Sequence, residues 1–519
     1  MIKPTPDDAA RVPAITVTQA VLDDRPRGTR VALIDATSGR AVSYAELAGA
    51  VRSAASGMAR AGIAIGDVVG VHLPDVPEIA IALYAVMAAG AAPTPIRPTT
   101  SVEAMTRQLT ESGARWVITW PVLLDIALAA VRGTQVERVV CFGAEPDAEP
   151  FSALQAGTER PVGSGLDPRT DLALVPYTRG TTGPPAGARL THRNLITGIL
   201  QLVGAGLISG TDTVLSTIPL TDVVGQVTAL HVGLHAGAVV VTRSGTGRLD
   251  LLRTLQDRRV SFLVCTPDIV EALAADREVD RYNLRSLRSI ISTGEPLRPD
   301  AARTCAARLG CQVRQAYGLA EAAGITHVNL RAAQEGTLDS VGRGLPWVDW
   351  RIVDSPAGAE QPAYQPGELL IRGPAVAHSR ATGEALPEWV RTGDVAFVDE
   401  HGRLYIIGRM SEPGDQPADD PQAMLEGHPA VGDAAIIPIP DRDLGLSPHA
   451  FAVLQEPASG ADLLAYMNEH LPLFQRVRAV HLVPVIPRTP SGRIMRRVLI
   501  ERAGLAESPE STECTEQAE

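Results

Sequence analysis

Lysine is almost absent from this chain. Of the 47 basic residues only Lys3 is a lysine, so arginine carries nearly all of the positive charge. The absence excludes a Walker-type phosphate loop, because that loop ends in Gly-Lys-Ser or Gly-Lys-Thr. A coding bias toward arginine accounts for a substitution of lysine by arginine. It does not account for a substitution of lysine by alanine.

Long apolar runs, zinc-type cysteine spacings and excess positive charge are absent too. No apolar run approaches the roughly 20 residues that cross a bilayer, and residues 1–11 are polar, unlike a secretory signal. We therefore expect a cytoplasmic protein without a membrane span. The five cysteines share no zinc or redox spacing, which favours reduced structural thiols. The net charge of −12 argues against a nucleic-acid partner.

The order of the apolar runs indicates the fold class. A chain of 519 residues exceeds one hydrophobic core and predicts at least two domains. Strand-like runs alternate with helical periodicity, which predicts parallel sheets covered by helices on both faces. One predicted helix follows a capping box at 43–46, and another spans 76–89. The predicted strands are 68–73, 116–120, 139–142, 172–176, 214–218, 239–242, 260–264 and 287–292.

A loop rich in glycine and threonine, residues 177–194, is the most specific feature of the chain. It follows the apolar strand at 172–176 and precedes a helical pattern at 195–202. Its backbone N–H groups and hydroxyls suit an anion, and its glycines let the backbone fold closely around oxygens. The loop therefore predicts a phosphate cradle.

This loop resembles the signature Tyr-Thr-Ser-Gly-Thr-Thr-Gly-x-Pro-Lys-Gly-x-x-x-(Thr/Ser)-His-x-Asn of the adenylate-forming superfamily, which includes acyl-CoA synthetases. Arg179 stands here for the signature serine and Ala186 for its lysine. The resemblance covers nearly the whole chain. It implies an α/β fold: a large N-terminal domain with two stacked, helix-covered β-sheets and a small β-barrel-like subdomain, then a small, mobile α+β C-terminal lid domain.

Composition sets the expected domain boundaries. Residues 411–422 are dense in Pro, Asp and Gly and read as a linker. We therefore predict an AMP- and acyl-binding domain at 1–410, a hinge at 411–422, a lid at 423–505, and a disordered acidic tail at 506–519. The Gly-Gly-containing loop that follows the hinge in the superfamily is absent and is replaced by a shorter one.

Further motifs extend the resemblance and imply residue roles. The motif at 317–321 resembles Tyr-Gly-x-Thr-Glu, which places the tyrosine near the nucleotide and gives Glu321 a weak assignment as Mg²⁺ ligand. The segment 292–297 resembles the one that packs on adenine. Asp394 matches the aspartate that accepts hydrogen bonds from both ribose hydroxyls, and Arg409 matches its helper. Residues 487–493 resemble Pro-x-Thr-x-Ser-Gly-Lys, with Arg493 at the lysine.

The resemblance thus gives two sets of candidate residues. Asp222 stands where many members carry a histidine that gates the thiol tunnel, and it joins Arg493 and Glu321 as a catalytic candidate. The implied nucleotide-binding residues are Thr178, Gly180, Thr181, Thr182, Gly183, Gly294, Glu295, Pro296, Ala316, Tyr317, Gly318, Asp394 and Arg409.

The departures from the superfamily pattern share a location. Arg179, Ala186, Ala320 and Arg493 lie where the superfamily handles phosphates or charge at the reacting phosphorus, whereas the adenosine-binding residues are kept. Removing one preorganised electrostatic donor costs about 10²- to 10³-fold in rate, so several losses would suppress adenylation. The chain thereby resembles the non-adenylating acyl-CoA ligases of bacterial terpenoid antibiotic pathways, of the platensimycin type, which work beside an adenylating homologue.

We therefore expect an acyl-CoA ligase that transfers a bulky hydrophobic acyl group from preformed acyl-AMP to CoA. The apolar, small walls expected at 223–229 and 322–325 suit such a carboxylic acid. Two alternatives stay open: a complete ATP- and Mg²⁺-dependent acyl-CoA synthetase, and a catalytically inactive nucleotide- or acyl-binding partner. The sequence also leaves open whether CoA or a carrier-protein thiol is the acceptor.

Overall fold

Two units, Met1–Met410 and Ser411–Glu519, make up the chain. The computed structural model describes residues 12–23, 28–156, 165–177, 187–245, 247–330, 338–354, 358–409, 421–441, 445–471, 477–487 and 499. The proposed hinge up to residue 420, most of the 488–505 region and the acidic tail lie outside these residues, so the predictions for them are untested.

Helices and strands alternate through most of the first unit. The strands are β1 (Val31–Asp35), β2 (Ala41–Ser43), β3 (Val68–His72), β4 (Ala92–Ile96), β5 (Ala114–Thr119), β6 (Arg138–Cys141), β7 (Glu149–Pro150), β8 (Leu172–Leu174), β9 (Ala188–Thr191), β10 (Thr213–Ser216), β11 (Val239–Thr242), β12 (Phe262–Cys265), β13 (Ser289–Ser292), β14 (Gln312–Leu319), β15 (Gly324–Val328), β16 (Arg343–Gly344), β17 (Asp349–Val353), β18 (Gly367–Arg372), β19 (Ser379–Arg380), β20 (Val390–Val398) and β21 (Leu404–Arg409). The helices are α1 (Tyr44–Arg60), α2 (Pro77–Ala88), α3 (Val102–Ser112), α4 (Leu124–Ala130), α5 (Phe151–Gln155), α6 (His192–Gly204), α7 (Val223–Gly225), α8 (Val232–Ala236), α9 (Arg248–Asp257), α10 (Pro267–Ala275) and α11 (Pro299–Leu309).

Two sheets dominate this unit. The larger has nine strands in the order β16-β15-β14-β13-β12-β10-β11-β1-β2, and the other has five in the order β4-β3-β5-β6-β7. In the nine-stranded sheet, the pairs β1–β11, β11–β10, β10–β12, β12–β13 and β13–β14 are parallel, whereas β1 and β2 form an antiparallel hairpin. The five-stranded sheet is parallel throughout. One apolar cluster joins Leu33 and Val240 of the first sheet to Val71 and Ile118 of the second. The predicted α/β architecture is confirmed.

Local signals explain where several elements begin. Ser43 caps α1 with a capping box, because its hydroxyl accepts from Glu46 N while the Glu46 carboxylate accepts from Ser43 N. The prediction of a helix from this motif is confirmed. Strand β4 was not predicted, since Pro93 and Pro95 argue against a central strand. It lies at the edge of its sheet, where the missing N–H groups are tolerated.

The predicted barrel-like subdomain is a sheet that is not closed into a barrel in the described residues. Strands β17, β18, β20 and β21 form an antiparallel sheet in that order, and the two outer strands do not pair with each other in the described residues. One face of the sheet forms an apolar core of its own. That core contains Ile352, Leu369 and Leu404, with Tyr317 packed against it. The contact brings this sheet to the end of β14.

The second unit contains a small mixed sheet. Its elements are α12 (Pro421–Glu426), β22 (Val431–Asp441), β23 (Gly445–Leu454), α13 (Gly460–His470) and β24 (Ala479–Leu482). Strand β22 pairs antiparallel with β23, which pairs parallel with β24. Leu425, Leu463 and Met467 cover one face of the sheet. In both units, no described helix is long and apolar enough to cross a membrane.

Candidate active site

Asp394 is the centre of a cluster of three predicted site residues. Tyr317 Oη donates a hydrogen bond of 2.5 Å to Asp394 Oδ2, and Arg409 Nε lies 3.2 Å from Asp394 Oδ1. Asp394 on β20 and Arg409 on β21 are cross-strand partners, while Tyr317 comes from β14. A carboxylate offers about four acceptor positions, so each oxygen keeps one for a further donor. The cluster can therefore accept two hydroxyl groups from one ligand.

A β-bulge aims the Asp394 side chain. Val395 pairs with Glu368 and Arg391 with Leu370, so three residues of β20 lie opposite Leu369 alone. Within the bulge Gly393 has a φ of 72°, a left-handed conformation that favours glycine. The Thr392 hydroxyl donates to Leu369 O at 2.8 Å and accepts from Asp394 N at 3.0 Å. These bonds stabilise the bulge, so the Thr-Gly-Asp sequence has a structural reason.

The electrostatics of the cluster are those of a buried carboxylate between two donors. Burial raises the pKa of Asp394, which is 9% exposed, whereas the hydrogen bond from Tyr317 and the charge of Arg409 lower it. Burial and the Asp394 charge hold the pKa of Tyr317 well above its ordinary value. Tyr317 is therefore a neutral donor near pH 7, and Asp394 is its acceptor.

The Tyr317 ring is the first of three rings that pack in a row, followed by those of His327 and Trp350. The Tyr317 and His327 ring centroids are 6.1 Å apart, and those of His327 and Trp350 are 6.0 Å apart, both edge to face. Burial lowers the pKa of His327 to about 3, so the imidazole is neutral. His327 Nδ1 lies 3.0 Å from the Thr326 hydroxyl. Sequence reasoning missed His327, because its role comes from the pairing of β14 with β15 that sets it beside Tyr317.

Glu321 lies in the turn that joins these two strands. It belongs to a short 3₁₀ turn, Ala320–Ala322, and its backbone oxygen accepts from Ala377 N at 2.7 Å. Burial raises the pKa of Glu321, and the charges of Arg380 and Arg409 oppose that effect. A single carboxylate is a weak metal site. No group of three or more His, Cys, Asp or Glu side chains among the described residues could hold a metal ion.

The predicted adenine-binding residues follow a neighbouring strand. Gly294, Glu295 and Pro296 follow β13 after one intervening residue, and β13 pairs in parallel with β14 through Ser292 and Gln315. Ala316, Tyr317 and Gly318 continue β14 beyond that pairing. The carboxyl ends of adjacent parallel strands are where α/β sheets bind ligands. Gly294 and Glu295 are exposed at this edge.

The predicted roles of the glycine-rich loop and of the lid motif stay untested. Thr178, Gly180, Thr181, Thr182 and Gly183 lie outside the described residues, as does Arg493. Both ends of the loop are described, and they meet: Tyr177 bridges Gly187, and Ala188 N donates to Pro176 O at 3.0 Å. Strands β8 and β9 form an antiparallel pair at these ends, and α6 follows from the Thr191 capping box.

Asp222 precedes α7 and caps it. Its carboxylate accepts from Val224 N at 2.9 Å and so caps α7, the first turn of a helix that continues as a π-helix over Gln226–His231. Asp222 also lines a small cleft, together with Pro95, Arg97, Thr100, Ala104, Arg107, Gln108, Tyr177 and Thr221. The predicted roles of Asp222 and of the other site residues stay predictions.

Comparison with known proteins gives one family. Residues 21–379 match the AMP-binding enzyme family, and residues 422–493 match the AMP-binding enzyme C-terminal domain. The chain is 31% identical over 505 residues to 4-coumarate–CoA ligase 5 of Oryza sativa subsp. japonica, with 92% of each chain covered. It is 32% identical over 518 residues to 4-coumarate–CoA ligase-like 9 of the same organism, with 93% of this chain and 92% of the relative covered.

A solved structure shares the fold. A long-chain-fatty-acid–CoA ligase from Archaeoglobus fulgidus matches with a TM-score of 0.73 at 25% identity, covering 91% of this chain and 97% of that one. The similarity therefore extends over both units of the chain.

Proposed function

Because the chain belongs to the AMP-binding enzyme family, the adenylate-forming superfamily, we propose that it is an acyl-CoA ligase deficient in the adenylation step. It takes a preformed acyl-adenylate and transfers the acyl group to the thiol of coenzyme A. A homologue that adenylates the acid would supply the substrate.

Nucleotide binding is supported by the hydrogen bonds that the Asp394 carboxylate already accepts. Tyr317 and Arg409 each engage one carboxylate oxygen, at 2.5 and 3.2 Å. The remaining acceptor position on each oxygen suits the two vicinal hydroxyls of a ribose, and hydrogen bonds to an ionised acceptor are the strong ones. This geometry supports binding of AMP or of an acyl-adenylate.

The deficiency in adenylation rests on residue chemistry at the phosphate positions. Ala186 and Ala320 have neither charge nor hydroxyl, where the superfamily uses a lysine and a threonine. Arg493 keeps the charge of the lid lysine but spreads it over a wide planar group, which is not equivalent at a crowded centre. Handling of pyrophosphate suffers from these changes more than binding of a finished adenylate does.

The acyl group is proposed to be bulky and hydrophobic. Val223 and Val227 are buried, and a Cβ added at Gly324 would lie 3.4 Å from the Val227 side chain. Gly324 therefore packs closely on an apolar helix face. These walls support an apolar ligand over a charged one.

The acceptor site is proposed to lie at the Asp222 cleft. Arg97, Thr100 and Arg107 line the same cleft, and residues of these types suit the phosphates of coenzyme A. Transfer forms a bond from the thiol sulfur to the acyl carbon and breaks the bond from that carbon to the AMP phosphate oxygen. The Asp222 carboxylate is the candidate acceptor for the thiol proton, and AMP leaves as an anion without an acid.

A paired assay tests this function against both alternatives. We expect no pyrophosphate release from ATP and a panel of aromatic and terpenoid acids, and CoA-thioester formation from the matching synthetic acyl-AMP. Robust ATP-dependent pyrophosphate release, with Mg²⁺ held at Glu321, would establish a complete synthetase instead. Good AMP binding without any turnover of acyl-AMP would establish an inactive partner.

A further inference from the structure

A cavity at the β16 edge of the nine-stranded sheet has no part in the proposed function. Its volume is about 470 Å³, and its walls come from the end of α6, the end of β15, the β16 segment and the turn between β20 and β21. It shares no lining residue with the Asp222 cleft or with the cluster around Asp394. Pockets of roughly 300–1,000 Å³ take small molecules. The cavity therefore has the size of a second small-molecule site.

The charged residues that line this cavity are all basic. They are Arg343, His401 and Arg403, and no Asp or Glu is among the lining residues in the part of the chain that the structure describes. The chain as a whole carries a net charge of −12, so the composition of this cavity runs against that of the protein. A concave surface lined by one sign of charge attracts ligands of the opposite sign. The cavity therefore favours an anion.

The two arginines differ in the partners that they already have. Arg403 Nε donates to Asp399 Oδ2 at 2.5 Å, so a neighbouring carboxylate balances its charge. Arg343 is exposed, and it forms no ion pair with any acidic side chain of the described residues. One guanidinium thus remains to be balanced, which suits a ligand with a single negative charge.

The strand register sets Arg343 on the same face of the sheet as an apolar wall. Arg343 pairs with Val328 in the antiparallel ladder of β16 and β15, and directly opposite residues project to the same face. Val328 and Leu345 line the cavity and are buried in the main apolar cluster. Leu330 also lines it and is 47% exposed. A ligand beside Arg343 therefore meets apolar side chains as well.

Gly344 connects the cavity to the row of rings formed by Tyr317, His327 and Trp350. It lines the cavity and pairs with His327 across the strands. A Cβ added at Gly344 would lie 3.1 Å from both Cδ1 and Nε1 of Trp350. A ligand in the cavity is therefore close enough to change the surroundings of the Trp350 indole.

We propose that this cavity binds a monocarboxylate with an apolar body. Arg343 donates to the carboxylate, and Val328, Leu330 and Leu345 contact the apolar body. The site is separate from the proposed nucleotide and acceptor sites, so the inference goes beyond the proposed function and stands without it.

Calorimetry on the full chain with decanoate and with decanol tests the proposal. The two probes share one apolar chain and differ in the negative charge. We expect Arg343→Ala to weaken decanoate binding by about 10-fold, the lower end for a hydrogen bond to a charged group, and to leave decanol binding unchanged. Arg343→Lys should recover part of the loss, because it keeps the charge without the planar fork.

Two further variants locate the probe. Arg169→Ala is the matched control, since it removes one exposed arginine elsewhere and should leave decanoate affinity unchanged. Ala205→Phe adds a ring at the half-buried residue that follows α6 and lines the cavity, so it should weaken decanoate and decanol alike. Circular dichroism and the unfolding temperature establish that each variant folds. Trp fluorescence should respond to decanoate in the natural protein and not in Ala205→Phe.

Three results would overturn the proposal. The first is the absence of decanoate binding by the natural protein. The second is equal decanoate affinity in the natural protein, Arg343→Ala and Ala205→Phe, which would place the probe elsewhere, as in the acyl site. The third is an equal loss of decanoate and decanol affinity in Arg343→Ala, which would show that Arg343 maintains the wall and does not bind the charge. None of these measurements depends on AMP or acyl-AMP, so the proposed function is tested separately.

Discussion

At the scale of single residues, Asp394 is predicted to contribute much of the affinity for the nucleotide. If it accepts both ribose hydroxyls, Asp394→Ala should weaken AMP and adenosine binding alike by about 1.5–3 kcal/mol, because bonds to a charged acceptor are lost. Calorimetry measures both affinities. Asp349→Ala is a suitable control, since Asp349 is paired with Arg372 on the same sheet. Unchanged affinity in Asp394→Ala would remove this residue from the site.

A second prediction at the scale of residues concerns Asp75. Its carboxylate accepts from Leu220 N at 3.0 Å, and burial raises its pKa to about 7. A carboxyl with a raised native pKa contributes stability below its unfolded pKa of about 4, and that contribution is lost as the pH rises through 7. The natural protein should therefore lose stability between pH 4 and 7 through this group.

Asp75→Asn tests that dependence. The amide oxygen can still accept from Leu220 N, and it does not ionise. We expect the variant to be more stable than the natural protein at pH 8 and to show a flatter dependence of the free energy of unfolding on pH. Parallel curves for the two proteins, measured by chemical denaturation from pH 4 to 8, would show that Asp75 does not titrate in this range.

The resemblance of short motifs identified some site residues but not others, and the difference has a physical reason. Tyr317, Asp394 and Arg409 are marked by short local sequences, and the structure brings the three together. His327 has no such mark. Its position beside Tyr317 depends on the register of β15 against β14, and register is a tertiary property.

At the scale of elements, the bulge in β20 connects backbone conformation to the site. Gly393 has a φ of 72°, and a Cβ there would meet no atom within 4 Å. Gly393→Ala should therefore lower the free energy of unfolding by about 1–2 kcal/mol through backbone strain alone. Relaxation of the bulge would also turn Asp394 away, so AMP affinity should fall.

Gly408→Ala, on the adjacent strand, is the control for this prediction. It also has open space around the added Cβ and lacks the left-handed φ. Denaturation and AMP titration of both variants separate strain from the added methyl group. Equal effects in the two variants would contradict the account of the bulge.

Apolar patterns predicted elements well where an element is buried along its length. The strand predicted at 239–242 matches β11 residue for residue, and the others differ by a few residues at their ends. Apolar patterns did not predict the elements whose conformation depends on neighbouring elements. Strand β4 contains two prolines that only an edge position permits, and the π-helix Gln226–His231 has no local signature.

At the scale of the whole molecule, the two half-reactions place different demands on the chain. Of the residues predicted to bind adenosine, Tyr317, Asp394 and Arg409 lie together. Ala186 and Arg493 stand where the superfamily has the two lysines that it uses on phosphates and carboxylate. The natural protein should form no detectable acyl-AMP from ATP and acid. It should make acyl-CoA from supplied acyl-AMP in the presence of EDTA.

Restoring both lysines tests whether these two positions separate the half-reactions. Ala186→Lys with Arg493→Lys should recover measurable pyrophosphate release, and the double variant should exceed the product of the two single effects, because both cations act on one transition state. Ala363→Lys with Arg169→Lys adds the same residues at exposed positions and should recover nothing. Recovery in that control, or none in the restored variant, would mean that other residues suppress adenylation.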